Sequence, residues 1–133
     1  MDLDRFKVYT LGIHQIDEEH LRLLNKMSAL MLLPRAPDLV ELVSKALDEL
    51  VGLTKVHFAN EETLMVSSEY PYVAWHREVH KVILVEIARL ISQHVEHARS
   101  GYVTSHFYKE LQRIMLSHID EHDRQLARWI LKN

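Results

Sequence analysis

The sequence predicts an all-α fold, an antiparallel up-down-up-down four-helix bundle whose functional centre lies in the core at one end. Three observations predict it. Apolar residues recur at alternating steps of three and four, the mark of helices with one buried stripe, and no strand-like alternation competes with them. Only three Gly and three Pro interrupt 133 residues, too few for a many-turned β chain. Those breakers fall so as to leave four long pieces joined by short connections, which favour antiparallel neighbours. At this length one compact domain over residues 1–133 is expected.

The first helix is expected from about Ile13 to Leu33, with Ile16, His20, Leu23, Met27 and Leu30 inward, and Pro34 and Pro37 ending it. Asp38 then opens the second helix in a capping-box-like pattern with Glu41. Its stripe runs through Val43, Leu47, Leu50, Thr54, His57, Glu61 and Leu64, ending near Ser67. Ser67 to Pro71 reads as a turn. The third stripe, Val73, His76, His80, Ile83, Ile87 and Leu90, reaches about Ala98 and is closed by Ser100-Gly101. A fourth helix follows Thr104 or Ser105, with Phe107, Leu111, Ile114 and His118 inward and helical character continuing through Leu126 and Trp129.

Composition removes several function classes. A formal charge of -3 carries no electrostatic footprint for nucleic acid or an anionic membrane. Apolar runs of about five residues are too short to span a bilayer, and the acidic start lacks the flank of an export signal, so a soluble cytoplasmic protein is expected. The absence of cysteine excludes thiolate nucleophiles and every cysteine-based metal or haem site. Ten histidines are the chemistry that is left.

Six titratable residues sit on the stripes: His20 near the start of the first helix, His57 and Glu61 near the end of the second, His76 and His80 near the start of the third, and His118 near the end of the fourth. Antiparallel packing brings these ends together. Burying five imidazoles with a carboxylate is costly unless a cation gathers them. The pairs His57/Glu61 and His76/His80 are i,i+4, about 40° apart, so both members of each can face one centre. Imidazole and carboxylate without thiolate suits iron, zinc, copper or manganese, and more than four donors disfavours a lone tetrahedral zinc. A zincin needs Glu directly after the first His, but the chain reads His76-Arg77-Glu78-Val79-His80. The Glu-x-x-His pairs of ferritin-like proteins are missing as well.

Nearly the whole chain resembles the hemerythrin family in its single-domain bacterial form. The matching segments are Gly12-Ile13-His14-Gln15-Ile16-Asp17-Glu18-Glu19-His20, then His57-Phe58-Ala59-Asn60-Glu61-Glu62, then Tyr70-Pro71 followed by His76 and His80, and finally His118-Ile119-Asp120-Glu121-His122-Asp123. The resemblance implies two iron ions, Fe2+ or Fe3+, joined by an oxo or hydroxo bridge. By position, His76, His80 and His118 would hold one iron and His20 and His57 the other, with Glu61 and Asp123 bridging. One coordination position would stay open for dioxygen. The implied function is reversible dioxygen binding for transport, storage or sensing, without enzymatic turnover. A di-iron enzyme reducing peroxide, nitric oxide or dioxygen, and an iron-handling protein, are the alternatives. Dioxygen is the expected partner, with no nucleic acid and no membrane; the sequence names no protein partner.

Two details stay open at this stage. His118 and Asp123 are about 140° apart on an ideal helix, so the implied role of Asp123 needs a one-residue π-bulge, whereas His122 reaches the same face undistorted. Asp17 could orient an imidazole or stabilise the first helical turn. Leu24, Phe58, Met65, Ile119 and Trp129 are candidates to line the site, with ordinary core packing as the other reading. In the region before the first helix where the family commonly has a tryptophan, this chain has Phe6 and Tyr9. His14, His94, His97, His106 and His122 lie outside the family pattern and are expected at the surface or in satisfied positions.

Overall fold

A computed structural model describes residues 4–33, 38–97 and 104–133. The described chain is helical, with no strands among those residues: α1 (His14–Ala29), α2 (Leu39–Ser67), α3 (Val73–His97), α4 (Ser105–His118) and α5 (Arg124–Lys132). A 3-10 segment, Asp4–Tyr9, precedes α1, and another, Leu30–Leu32, tightens its last turn. A π turn, Ile119–Asp123, joins α4 to α5, so these three form the fourth rod. Each rod packs on its neighbours in a closed square, α1 on α2 and α4, and α3 on α2 and α4. No helix of the described residues is long and apolar enough to cross a membrane.

The stripes read from sequence form the core. Ile16, Leu23, Met27, Leu30, Val43, Leu47, Leu50, Ile83, Ile87, Phe107, Leu111 and Ile114 are all buried. Each large side chain so removed from water contributes about 1.5–3 kcal/mol. Three positions differ: Val73 and Leu90 on the third stripe are only half-buried, and the second stripe departs at its end. Beyond Glu61 the inward residue is Met65, fully buried, and not Leu64, which is half-buried. Thr54, the one hydroxyl on that stripe, satisfies itself by donating to Leu50 O at 2.8 Å. The expected stop at Pro34 and Pro37 and the closing Ser100-Gly101 lie outside the described residues, as does Ala98.

The helix ends show how local sequence sets the site. Thr104 caps α4 by accepting from Phe107 N at 3.1 Å. Asp38 stands at the start of α2, but its side chain makes no capping hydrogen bond, so the expected box with Glu41 is not closed there. α2 ends in a Schellman motif. Glu69 takes a left-handed φ of 57°, Tyr70 N donates to Met65 O at 2.9 Å, and Glu69 N donates to Val66 O at 3.1 Å. This turn buries Tyr70 and delivers α3 with His76 and His80 in its first two turns. Before α1, Gly12 adopts φ 91°, a conformation a side chain would strain. Asp17 accepts from Leu11 N at 2.8 Å and Gly12 N at 3.0 Å, which ties that loop to the helix. Its role is therefore the backbone one.

Candidate metal centre

All seven side chains named above meet at one end of the core. His20, His57, Glu61, His76, His80, His118 and Asp123 are each no more than 5% exposed. Their ligand atoms form two sets, each within 4.8 Å: Glu61, His76, His80, His118 and Asp123 in one, and His20, His57, Glu61 and Asp123 in the other. The carboxylates belong to both. Glu61 turns Oε1 towards His76 Nε2 and His80 Nε2, each 2.9 Å away, and Oε2 towards His57 Nε2 at 3.3 Å. Asp123 does the same, with Oδ1 2.9 Å from His118 Nε2 and 3.2 Å from His76 Nε2, and Oδ2 2.9 Å from His20 Nε2.

Asp123 reaches this position because the π turn inserts one residue of register. His122 is carried to the flank, where its ring lies 4.9 Å from Trp75, and it belongs to neither set.

Many of these short separations are not hydrogen bonds. The Nε2 atoms of His20, His57, His76 and His118, Oε2 of Glu61 and both oxygens of Asp123 are buried without a hydrogen-bond partner. Orphaned buried polar atoms are rare and expensive, and here they converge. A divalent cation with octahedral ligands at about 2.0–2.1 Å places neighbouring donors about 2.9 Å apart, the spacing seen repeatedly here. The donor set, imidazole and carboxylate, suits a transition metal. The residues fit a two-ion centre, one set offering five protein donors and the other four.

Charge on the side chains follows from the same packing. Burial pushes the His57 pKa down, but Glu61, Asp123 and Glu19 outweigh it and raise it to about 9. His118 is likewise opposed by burial and lifted to about 10 by Asp123 and Glu61. His76 is raised against its burial by the same two acids. Burial would raise the Glu61 carboxyl, yet contacts with four imidazoles hold it well below the usual range. Asp123 is lowered too, its burial and the repulsion of Glu61 overcome by His118 and His20. The two acids thus favour a positive charge on His57, His76 and His118, where a cation would supply it.

The surroundings are apolar and aromatic. Phe58 stacks on His80 with centroids 3.8 Å apart and planes 4° from parallel, and meets His118 edge-on at 5.5 Å. Leu24, Met65 and Ile119 are buried in the same core. Trp129 is half-buried; its indole donates to Ser68 O at 2.9 Å, and its ring lies 6.3 Å from that of Tyr70, which is in turn 6.3 Å from that of His76. Tyr9 packs against the core from the segment before α1.

Of the remaining histidines, His14 and His106 are exposed, and His94 is buried against Phe107 at 4.4 Å. The side chain of His97 lies outside the described residues.

Sequence reasoning missed two outer acids. Glu19 Oε1 lies 2.7 Å from His57 Nδ1, and Glu62 Oε2 lies 2.8 Å from His80 Nδ1. Their signal was positional, each being the residue adjacent to an inward ligand candidate.

Comparison with known proteins agrees in family and extent. The Hemerythrin HHE cation binding domain matches residues 11–130. A protein named Bacteriohemerythrin from Stenotrophomonas maltophilia is 35% identical over 78 residues, covering 59% of this chain and 50% of that protein. The chain thus aligns with about half the length of that relative. A Bacteriohemerythrin from Campylobacter jejuni is 23% identical over 123 residues, covering 92% of this chain and 91% of that one. One from Pseudomonas aeruginosa is 29% identical over 77 residues, covering 58% and 50%. No solved structure matches the chain.

Proposed function

The chain belongs to the hemerythrin family, and on that premise we propose that it binds dioxygen reversibly at a non-haem di-iron centre, as a carrier, store or sensor. In this reading His76, His80 and His118 hold one iron, His20 and His57 hold the other, and Glu61 and Asp123 span the two. The supporting observation is the division of each carboxylate, one oxygen towards each histidine set. When bound, a di-iron pair would supply the electrons that dioxygen takes up and returns.

The chain's own residues do the rest. Five imidazoles and two acids on four rods hold fixed donor positions, and the set containing His20 and His57 has one protein donor fewer, which leaves room for a small ligand. Phe58 packs on His80 and His118, and Leu24, Met65 and Ile119 are buried in the same apolar core, which keeps water from the acids. Glu61 and Asp123 stay ionised and balance the positive charge beside them.

The test is spectroscopic. Iron-loaded protein, reduced without oxygen, should gain a visible absorption when oxygen is admitted and lose it when oxygen is removed, over repeated cycles. Irreversible bleaching, or steady oxygen consumption in the presence of reductant, would overturn reversible binding in favour of a di-iron enzyme.

A further inference from the structure

Two of the five imidazoles are gripped from outside by an acid on the preceding helix. Glu19 of α1 lies against His57 of α2 at 2.7 Å, and its other oxygen accepts from Asn60 Nδ2 at 2.8 Å. Glu62 of α2 lies against His80 of α3 at 2.8 Å, with its other oxygen 3.3 Å from Arg77 Nε. Glu19 adjoins His20 and Glu62 adjoins Glu61 in sequence, so each is turned about 100° from an inward residue, towards the next rod.

A carboxylate oxygen only accepts. Each contact therefore places a hydrogen on Nδ1 and leaves Nε2 to point its lone pair into the core. One such imidazole falls in each set. By contrast Nδ1 of His20 and of His118 has no hydrogen-bond partner among the described residues. Both acids are themselves braced, by Asn60 and by Arg77, so their orientation is fixed as well as their presence. A further feature marks the Glu19 side: a cavity of about 80 Å³, lined by Glu19, Arg22, Leu53, His57 and Asn60, abuts the four-donor half.

We infer that Glu19 and Glu62 are positioning residues, each fixing the tautomer and aim of one metal-binding imidazole, so that the two halves of the centre are tuned separately: Glu19 the four-donor half through His57, Glu62 the five-donor half through His80. The inference rests on the two-ion reading above. Outer acids of this kind typically change metal affinity by about 10–100-fold when removed.

The experiment uses the full chain and Co2+ in competition with a chromophoric chelator, with Zn2+-loaded protein for imidazole proton NMR. Wild type should bind two ions. Glu19→Gln should loosen one ion about 10–100-fold, leave the other unchanged, and shift the Nδ1–H resonance of His57. Glu62→Gln should loosen the other ion and shift that of His80. Asn60→Ala, which leaves the Glu19–His57 contact but removes its brace, should weaken the same ion as Glu19→Gln, by less. Two ions bound with unchanged affinity and unchanged resonances in the variants would overturn the positioning role and leave the centre intact. Equal loss of both ions in both variants, with lower melting of the metal-free protein, would overturn it in favour of a purely structural role. Failure of the wild type to bind two ions would overturn the two-ion reading itself.

Discussion

His118 Nε2 lies 2.9 Å from Asp123 Oδ1, although five residues separate them along the chain. On a regular helix they would diverge by about 140°. The π turn Ile119–Asp123 removes that divergence and keeps both on the inner face, while Asp120 and Glu121 stay in water. Deleting the exposed Glu121 should turn the bulge into regular α-helix, with the acid four residues after His118 and the downstream stripe of Leu126 and Ala127 still inward. Circular dichroism should show the fold kept. Metal affinity should fall at least about 10-fold, because a displacement of about 1 Å loosens a preorganised site. Unchanged affinity would show that the bulge is not needed for the centre.

The metal-free protein should be most stable in mild acid. His57 and His118 are raised from 6.5 to about 9 and about 10, so the stabilisation from their pairing is complete below about pH 6.5 and is lost as pH climbs through those higher values. Glu61 and Asp123 are lowered from 4.5 and 3.8, so their contribution is present above that range and disappears as acid protonates them. A cation replaces the Nε2 protons, so its binding strengthens with pH. Thermal melts of chelator-stripped protein should fall between about pH 6.5 and pH 9, while the gain in melting temperature on Zn2+ loading grows over the same interval. A loading gain that shrinks with pH would contradict the proton-for-metal exchange.

Leu111 lies two turns before His118, about 10 Å along the rod, and is fully buried. Replacing it with Ala should destabilise the fold by about 2–5 kcal/mol in denaturant titration. Metal stoichiometry should stay at the wild-type value, since the cavity opens in the apolar half of the core. A loss of bound metal at unchanged stability would mean that the two halves are coupled more tightly than their packing implies.

The stripes were legible because burial repeats with the helical period, and the polar residues on them stood out as groups that no apolar core tolerates alone. His20, His57, Glu61, His76, His80 and His118 could be placed at one end from that pattern and antiparallel order. Asp123 could not, because its face depends on a backbone insertion that periodicity alone does not announce; the family resemblance was needed to choose it over His122. Leu64 and Met65 stand three and four residues beyond Glu61, so both steps fit the helical period and packing alone selects Met65 as the inward residue. Glu19 and Glu62 were missed because they flank the stripe and act across to another rod. Asp17, the acid that did attract notice, spends both oxygens on the backbone of Leu11 and Gly12.

Because every rod contributes a side chain to one end, while the other is held by apolar packing with the Lys26–Glu49 ion pair and the Ser28–Tyr108 contact, a loaded centre would clamp the bundle like a ferrule on a sheaf of rods. Separation would then begin at the far end, around Leu30–Leu32 and the start of α2, and travel towards the clamp. The molecule thus has a mechanical polarity: its last point of failure is the place where its chemistry is done.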